Sequence, residues 1–466
     1  MSDDILRNHT FAELEIGAKA SLSRTVGRDD IELFATVSGD RNPAHLDSVF
    51  AANDRFGHVV AHGMWTAALV SAVLGTRLPG PGTIYLGQDL KFRQPVLPGD
   101  TITAEVTVVG KQRDKRIITL DTVCRNQRGE AVLLGSATVI APESVIEWPA
   151  MPLPQVYLRR HDRYEALITQ AKSLPPLRTA VVHPCSAEAV QAVAEGKSEG
   201  LLDPILIGPD AKIRAAFEAA GLSSSGYEIQ DAPHSHAAAA QAVTLASGQQ
   251  VAALMKGSLH TDELLEAVVA PTSGLRTDRR LSHAYLMDIP AYAKPLLITD
   301  AAININPTLE QKRDICQNAI DLMRALGREE PLVAVLAAVE TINPKMPATL
   351  DAAALTLMAQ RGQITGAKVD GPLAFDNAIN LDAAKTKALV SPVAGQADIL
   401  LVPDIEAGNI LAKQLTYFAG ADAAGIVLGA RVPIILTSRT DAVRVRLASI
   451  ALANLALFRA GAGATA

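Results

Sequence analysis

Cysteine is scarce in the sequence, and its spacing limits the chemistry available. The 466 residues include three cysteines, Cys124, Cys185 and Cys316, without a Cys-x-x-Cys pair. Zinc sites and disulfide frameworks need closely spaced or paired cysteines, so we expect no metal site, no disulfides and a reducing compartment. The first ten residues are polar and acidic, unlike a signal peptide. These absences predict a cytoplasmic protein.

Long apolar runs and basic tracts are absent as well. The most apolar stretch, residues 59–74, is shorter than the roughly 18 residues of a membrane-spanning helix and includes His62 and Ser71. With a formal net charge of −6, the chain is not expected to bind nucleic acid or a membrane surface. Hydrophobic residues make up 48% of the sequence, as in globular proteins, and the length predicts two or three domains.

A cluster of prolines divides the chain into two parts with different patterns. Six prolines fall between residues 142 and 176. Because proline interrupts helices and sheets, we predict a linker over 146–177. The chain is therefore expected to have a first domain over 1–145 and a second part over 178–466.

The first domain has a helix-then-strand pattern. Residues 58–75 are apolar on nearly all sides, which predicts a buried helix, and short helices precede it at 30–37 and 47–53. Alternating residues and turn sequences predict four strands after it, at 83–95, 101–110, 116–127 and 131–141. An antiparallel sheet wrapped around one buried helix fits this order. Its open edge predicts a homo-oligomer, a dimer or larger.

The second part alternates short apolar runs with alanine-rich helical stretches. Apolar runs bounded by Gly, Pro or Asp are typical of buried parallel strands, so we predict an α/β sheet. The length is sufficient for two lobes, which we place at approximately 178–290 plus 430–466, and at 291–429.

One loop of the first domain carries residues suited to acid–base chemistry. Ser38-Gly39-Asp40 ends a predicted helix, and Asn42-Pro43 holds the following residues extended. Such a loop can place the Asp40 carboxylate beside the His45 imidazole, a pair that can activate water. Gly63 begins the apolar helix, where a free backbone N–H can stabilise a thioester oxygen as charge develops.

Spacing alone leaves a structural alternative open for each of these residues. Asp40 can serve only as a helix cap, and His45 only as a polar residue beneath the loop. A metal site formed by His58 and His62 is disfavoured, because no third ligand and no HExxH glutamate accompany them.

The loop also resembles a known signature. Residues 34–45 fit aromatic-x-x-x-Ser-Gly-Asp-x-Asn-Pro-x-His, and His62-Gly63-Met64 and residues 84–100 extend the match. Residues 15–142 thus resemble MaoC-like and (R)-specific enoyl-CoA hydratases of the α+β hotdog fold.

This resemblance implies a role for each site residue. Asp40 and His45 would deprotonate water for attack at C3 and deliver a proton to C2, while Gly63 polarises the thioester carbonyl. The remaining family positions are Ser38 and Asn42, which orient the pair, and Ser71 near the acyl pocket. Dehydratase or thioesterase activity, found in other hotdog proteins, is the alternative.

Two segments of the second part predict an anion-binding cleft. Residues 432–441 form an apolar run ending in Thr-Ser438-Arg439-Thr-Asp441, and α/β folds bind ligands where strands end. Arginine there offers a planar fork for phosphate. The segment from Lys256 through Ser258 to Thr261 has the same order of features: a cation, a hydroxyl and the start of a predicted helix. Arg280 adds a further hydrogen-bond donor. Taken singly, each segment is equally well explained as a capped helix start.

In order and sequence these segments resemble the phosphate acetyltransferase/phosphate butyryltransferase family over residues 178–460. Further matches are the segments 282–288, 298–305, 369–373 and 403–409. The resemblance implies two α/β lobes around a cleft and acyl transfer between CoA and inorganic phosphate, without a tightly bound cofactor. Thr440-Asp441 follows Ser-Arg directly, as in butyryltransferases, so acetyl or butyryl preference stays open.

The resemblance also implies roles in the cleft. Arg439 would clamp phosphate, Ser438 would donate to the leaving thiolate, and Asp441 would act as base for the CoA thiol. Lys256, Ser258, Thr261 and Arg280 would contact substrate. We therefore predict an enoyl-CoA hydratase fused to a phosphate acyltransferase; the alternative is a non-catalytic acyl-CoA-binding or assembly domain after the hotdog domain.

Overall fold

The computed structural model describes residues 5–154, 156, 158, 162–436 and 441–463. The chain forms two units, Met1–Leu158 and Arg159–Ala466. Each unit is described separately below.

The first unit is an antiparallel sheet with one long helix. Its strands are β1 (Ile5–Arg7), β2 (Lys19–Thr25), β3 (Ile84–Phe92), β4 (Thr101–Gln112), β5 (Ile117–Arg125), β6 (Ala131–Ile140) and β7 (Glu147–Pro149). Its helices are α1 (Arg28–Ser38), α2 (Pro43–Leu46), α3 (Ser48–Asn53) and α4 (Gly63–Thr76). Five strands pair in the order β2-β4-β5-β6-β3, and β1 pairs with β7 separately. This confirms the predicted hotdog architecture.

The core of the first unit lies between α4 and the sheet. Alternate residues of β4 are buried, including Ile102, Val106 and Val108, as the alternating sequence predicts. From α4, Trp65 and Val70 pack into the same core. Trp65 is 7% exposed and is therefore a core residue.

The prediction that this helix is buried on all sides, and begins at residue 58, is wrong for a single chain. Residues 58–62 form a loop, and the Ala61 N–H donates to the carbonyl of Val96. Met64 is 55% exposed, and Ser71, two turns on, is exposed as well. The apolar composition of α4 thus includes a stripe that the sheet does not cover.

The second unit is built on one sheet of eleven strands. In chain order these are β8 (Leu177–Val182), β9 (Leu202–Gly208), β10 (Glu228–Asp231), β11 (Ala253–Lys256), β12 (Ser282–Asp288), β13 (Leu296–Thr299), β14 (Leu332–Leu336), β15 (Lys368–Leu373), β16 (Ile399–Leu401), β17 (Asp422–Leu428) and β18 (Ile434–Ile435). They are arranged β10-β9-β8-β11-β18-β17-β12-β13-β16-β14-β15. The pairs β12–β13, β12–β17 and β17–β18 are antiparallel and the others parallel, so the predicted parallel sheet is a mixed one.

Eleven helices cover this sheet within the described residues. They are α5 (Asp162–Lys172), α6 (Ala187–Ser198), α7 (Asp210–Ala219), α8 (Ser235–Ser247), α9 (Thr261–Val269), α10 (Leu309–Ala325), α11 (Pro347–Gln360), α12 (Phe375–Ile379), α13 (Leu381–Thr386), α14 (Ile405–Tyr417) and α15 (Val443–Gly463). The core strands are fully buried, as the apolar runs predict.

The predicted linker over 146–177 is too long. The strand β7 belongs to the first unit, and the helix α5 is packed into the second. Tyr164 of α5 is 1% exposed, donates its hydroxyl to the Leu286 carbonyl and accepts the Ala424 N–H at 2.7 Å. Prolines flank α5 without interrupting it. The proline cluster therefore indicated where the boundary between the two units lies, but not how long the linker is.

Candidate active sites

The Ser38–Asn42 loop of the first unit is held by its own short hydrogen bonds. Helix α1 ends at Gly39, whose φ of 77° is the left-handed conformation that glycine adopts readily. The Asp40 carboxylate accepts the Asn42 N–H at 3.1 Å, and Asn42 caps α2 by accepting the Ala44 N–H at 3.1 Å. Ser38 accepts the Asp40 N–H at 3.2 Å. Ser38 and Asn42 thus fix the loop that carries Asp40.

Asp40 and His45 lie together, as the spacing predicts. Side-chain ligand atoms of Asp40, His45 and His62 all lie within 4.8 Å of one another. His45 Nδ1 is 2.7 Å from the carbonyl oxygen of Val60, so Nδ1 carries the proton and donates it. In the neutral form of this tautomer, Nε2 holds the lone pair that can act as a base. Asp40 is exposed and His45 half-buried, which leaves both accessible to a substrate.

His62 is a member of this site that the sequence reasoning missed. It is 2% exposed, its ring centroid is 3.9 Å from that of His45, and its Nε2 is 3.3 Å from the Asp40 carbonyl oxygen. Burial lowers the pKa of His62, and the neighbouring His45 lowers it further, so this ring stays neutral. Its place in the His62-Gly63-Met64 match was the available signal, but the match assigned no role to the His62 side chain.

These three side chains have the donor types of a zinc site but suit proton transfer better. An imidazole binds a metal ion through a nitrogen lone pair that lies in the plane of its ring, so the ring planes of two ligands point toward the ion. The rings of His45 and His62 instead pack against each other, tilted by 33° with centroids 3.9 Å apart. The geometry therefore favours an acid–base pair supported by a neutral ring.

Gly63 begins α4, where backbone N–H groups have no acceptor within the helix. A Cβ at this position would lie 2.9 Å from the Phe92 ring, so glycine keeps the helix start open. Ser71 lies eight residues further on, about 12 Å along the helix axis. The structure thus places Ser71 away from Gly63 and the loop, on the exposed stripe of α4.

In the second unit, three predicted residues line one cavity. Lys256, Thr261 and Asp441 surround a space of about 640 Å³. Lys256 ends β11 and Thr261 begins α9, so strand and helix termini meet there, as predicted. Ser438 and Arg439 lie outside the described residues.

Two other predicted residues lie elsewhere. Arg280 lines a neighbouring cavity of about 1010 Å³, in which Arg276 and Arg313 also lie, and donates its Nε–H to Asn304 at 2.7 Å. Thr261 lines both cavities. Ser258 lines neither, and its buried hydroxyl has no hydrogen-bond partner within the described part of the chain.

The same smaller cavity has wall residues that sequence reasoning did not single out. His283 and Tyr285 of β12 line it, and their rings meet edge to face with centroids 4.2 Å apart. His283 is 1% exposed, and burial lowers its pKa to about 4, which makes it neutral at physiological pH. In the sequence they lie in the segment 282–288, which matches the family, but nothing in that segment distinguishes these two side chains as cavity residues.

Comparison with known proteins agrees with the assignment of both domains. The family model described as "MaoC like domain" matches residues 11–126, and that described as "Phosphate acetyl/butaryl transferase" matches residues 235–454. The phosphate acetyltransferase of Rhizobium meliloti is 56% identical over 308 residues, which are 66% of this chain and 95% of that protein.

Two solved structures are also similar. A branched-chain phosphotransacylase from Enterococcus faecalis V583 is 31% identical with a TM-score of 0.54, covering 60% of this chain and 99% of that one. R-hydratase PhaJ1 from Pseudomonas aeruginosa is 43% identical, covering 34% of this chain and 100% of that one, with a TM-score of 0.33.

Proposed function

Because the chain belongs to the phosphate acetyl/butyryl transferase family and carries a MaoC-like domain ahead of it, we propose that it is a bifunctional acyl-CoA enzyme. The first unit hydrates trans-2-enoyl-CoA to (R)-3-hydroxyacyl-CoA. The second transfers an acyl group between CoA and inorganic phosphate. The observation that carries the first assignment is the proximity of Asp40 and His45 on a loop fixed beside the start of α4.

The hydratase step follows from the protonation of His45. Its Nε2 and the Asp40 carboxylate take one proton from a water molecule, whose oxygen attacks C3. The pair returns one proton to C2, so its net protonation does not change. Charge that develops on the thioester oxygen is stabilised by the Gly63 N–H and the positive end of α4.

The transferase step uses the 640 Å³ cavity. A phosphate oxygen attacks the thioester carbonyl carbon, the C–S bond breaks, and CoA leaves as a thiolate that takes up a proton. Lys256 at the cavity wall offers charge to phosphate, and Asp441 on the same wall exchanges the thiol proton. We assign Arg439 to the phosphate and Ser438 to the thiolate from their family positions. Neither unit is proposed to need a tightly bound cofactor.

The outer edge of the first unit supports a homo-oligomer. Edge strand β3 exposes Ile84 by 56%, Leu86 by 51% and Phe92 by 52%. An apolar edge with unpaired backbone groups is stabilised by pairing with a second copy. We propose that the chain assembles through this edge.

Among the described helices, none has the length and apolar character needed to cross a membrane. The free thiols of Cys124, Cys185 and Cys316 are stable in a reducing environment. We propose that the enzyme works in the cytoplasm.

Reciprocal variants test the proposed function. Asp40→Asn removes the carboxylate and should lower crotonyl-CoA hydration by about 10²-fold or more, while phosphate-dependent CoA release continues. Arg439→Ala should abolish phosphate-dependent CoA release and leave hydration unchanged. Loss of both activities in either variant would indicate a folding defect, and near-normal hydration by Asp40→Asn would refute the assignment.

A further inference from the structure

The wall of the 640 Å³ cavity contains a buried imidazole that the transferase step above does not use. His283 and Tyr285 are two residues apart on β12 and so share one face of the sheet. Both cover Gly425 on the neighbouring strand β17: a Cβ there would lie 3.1 Å from His283 Nε2 and 3.3 Å from the Tyr285 ring. Since Gly425 lines the same cavity, the imidazole lies at its floor.

The His283 ring lacks a hydrogen-bond partner for one of its nitrogens. Nδ1 is buried with almost no accessible surface and has none within the described parts of the chain. Nε2 instead faces Gly425, whose missing side chain leaves the ring open to the cavity. The carboxylate of Asp300 accepts the backbone N–H of His283 at 3.2 Å. Tyr285 meets the ring edge to face, which is an apolar contact. Because Nδ1 is inaccessible, a ligand in the cavity reaches the ring at Nε2, beside the bare Gly425. Polar atoms in proteins are normally paired, so we expect a ligand to supply the partner of Nε2.

The electrostatic state of His283 restricts what that partner is. The ring is neutral because burial outweighs the attraction of Asp300 for a proton. A neutral imidazole has no charge to attract phosphate, and its Nε2 is either a donor or an acceptor, depending on the tautomer. A hydroxyl group both donates and accepts, so it pairs with either tautomer.

We propose that the second unit accepts 3-hydroxyacyl-CoA and that the hydroxyl group on C3 hydrogen-bonds to His283. This inference rests on the proposed function, since the first unit forms a thioester with that hydroxyl. Phosphate then attacks the carbonyl carbon, the C–S bond breaks, and the products are 3-hydroxyacyl phosphate and CoA. The two units would act in sequence on one acyl chain.

The hydroxyl group should therefore decide between donors of equal length. Butyryl-CoA leaves the imidazole unpaired, and a site built to bind a hydroxyl discriminates against the analogue without it by roughly 10-fold or more in kcat/KM. Contact of His283 with the pantetheine arm, which all CoA donors share, would give no such difference.

The test measures kcat/KM for initial phosphate-dependent CoA release from (R)-3-hydroxybutyryl-CoA, butyryl-CoA and acetyl-CoA with the full-length protein. Reverse dehydration by the first unit releases no CoA and does not contribute to this rate. The wild type should prefer the hydroxylated donor to butyryl-CoA about 10-fold or more. His283→Phe should remove most of that preference, and His283→Gln, whose amide extends toward the position of Nε2, should retain part of it.

Each outcome has one meaning. A wild type that uses butyryl-CoA as well as or better than the hydroxylated donor overturns the inference, whatever the variants do. An equal loss on all three donors in His283→Phe assigns His283 a structural role and overturns it too. No phosphate-dependent CoA release from any donor would instead refute the proposed transferase function itself.

Discussion

Replacing Gly63 by alanine tests the assignment of the α4 N-terminus as the thioester-oxygen site. The variant keeps its backbone N–H, but the added methyl group would lie 2.9 to 3.2 Å from three atoms of the Phe92 ring. We expect the methyl group to keep the substrate carbonyl from reaching that N–H. Phe92 is 52% exposed and ends an edge strand, so its ring can shift at small cost. Overpacking costs typically 1–3 kcal/mol in a dense core, and we expect less than about 1 kcal/mol here.

The effect on catalysis should be much larger than that on stability. Loss of one oxyanion donor costs about 10²–10³ in kcat, or roughly 3–4 kcal/mol of transition-state stabilisation. The measurement is crotonyl-CoA hydration by the decrease in enoyl-thioester absorbance, with thermal unfolding recorded on the same sample. We expect a loss of about 10²-fold or more with a nearly unchanged Tm.

Gly75 provides a matched control on the same helix. A Cβ at Gly75 meets nothing within 4 Å, so Gly75→Ala should leave hydration unchanged. A second control combines Gly63→Ala with Phe92→Leu, which relieves the ring contact. Restored hydration in this double variant, or normal hydration in Gly63→Ala alone, would refute the role of the Gly63 N–H.

Three further predictions concern groups whose roles the structure suggests. His62→Phe keeps a ring packed against His45 but loses the contact with the Asp40 carbonyl, so kcat for hydration should fall by about 10-fold with KM unchanged. His62→Gln should recover part of the lost kcat. An equal loss of kcat in both variants would leave His62 only a packing role. The pKa of His283 is lowered to about 4 in the folded protein. Between about pH 4 and about pH 6.5 the unfolded chain therefore binds more protons at this residue than the folded chain does. The stability of the second unit must then fall as pH falls through this range. The thermal midpoint of His283→Asn should therefore fall less steeply below pH 6.5 than that of the wild type, and parallel curves would contradict the buried neutral state. Leu86→Glu places a charge on the exposed β3 edge and should shift the protein to smaller species in sedimentation, whereas an unchanged size would exclude assembly through β3.

Local sequence was sufficient for the Asp40 loop because its conformation is determined locally. A glycine that adopts a left-handed φ, an Asx turn and an asparagine cap before proline all act within six residues. The alternation of buried and half-buried residues along β4 likewise depends on the residues of the strand itself and on the single core that it faces. Such features are visible in a linear pattern.

Features that depend on distant packing could not be predicted this way. His62 reaches Asp40 only because the loop over 54–62 folds back on the first helices. Arg280 was placed with Lys256 by residue type, but the two line different cavities. His283 lies in a family-matched segment, but only the absence of a side chain at Gly425 on a neighbouring strand gives it a place at a cavity floor.

One time course tests the central assignment most directly. The purified full-length chain is mixed with crotonyl-CoA without phosphate, phosphate is added later, and enoyl-thioester absorbance and free thiol are followed together. Enoyl absorbance should fall before phosphate is added, and free thiol should appear only afterwards. Thiol released without phosphate would indicate a thioesterase, and an unchanged enoyl signal would contradict the proposed action of Asp40 and His45 on water.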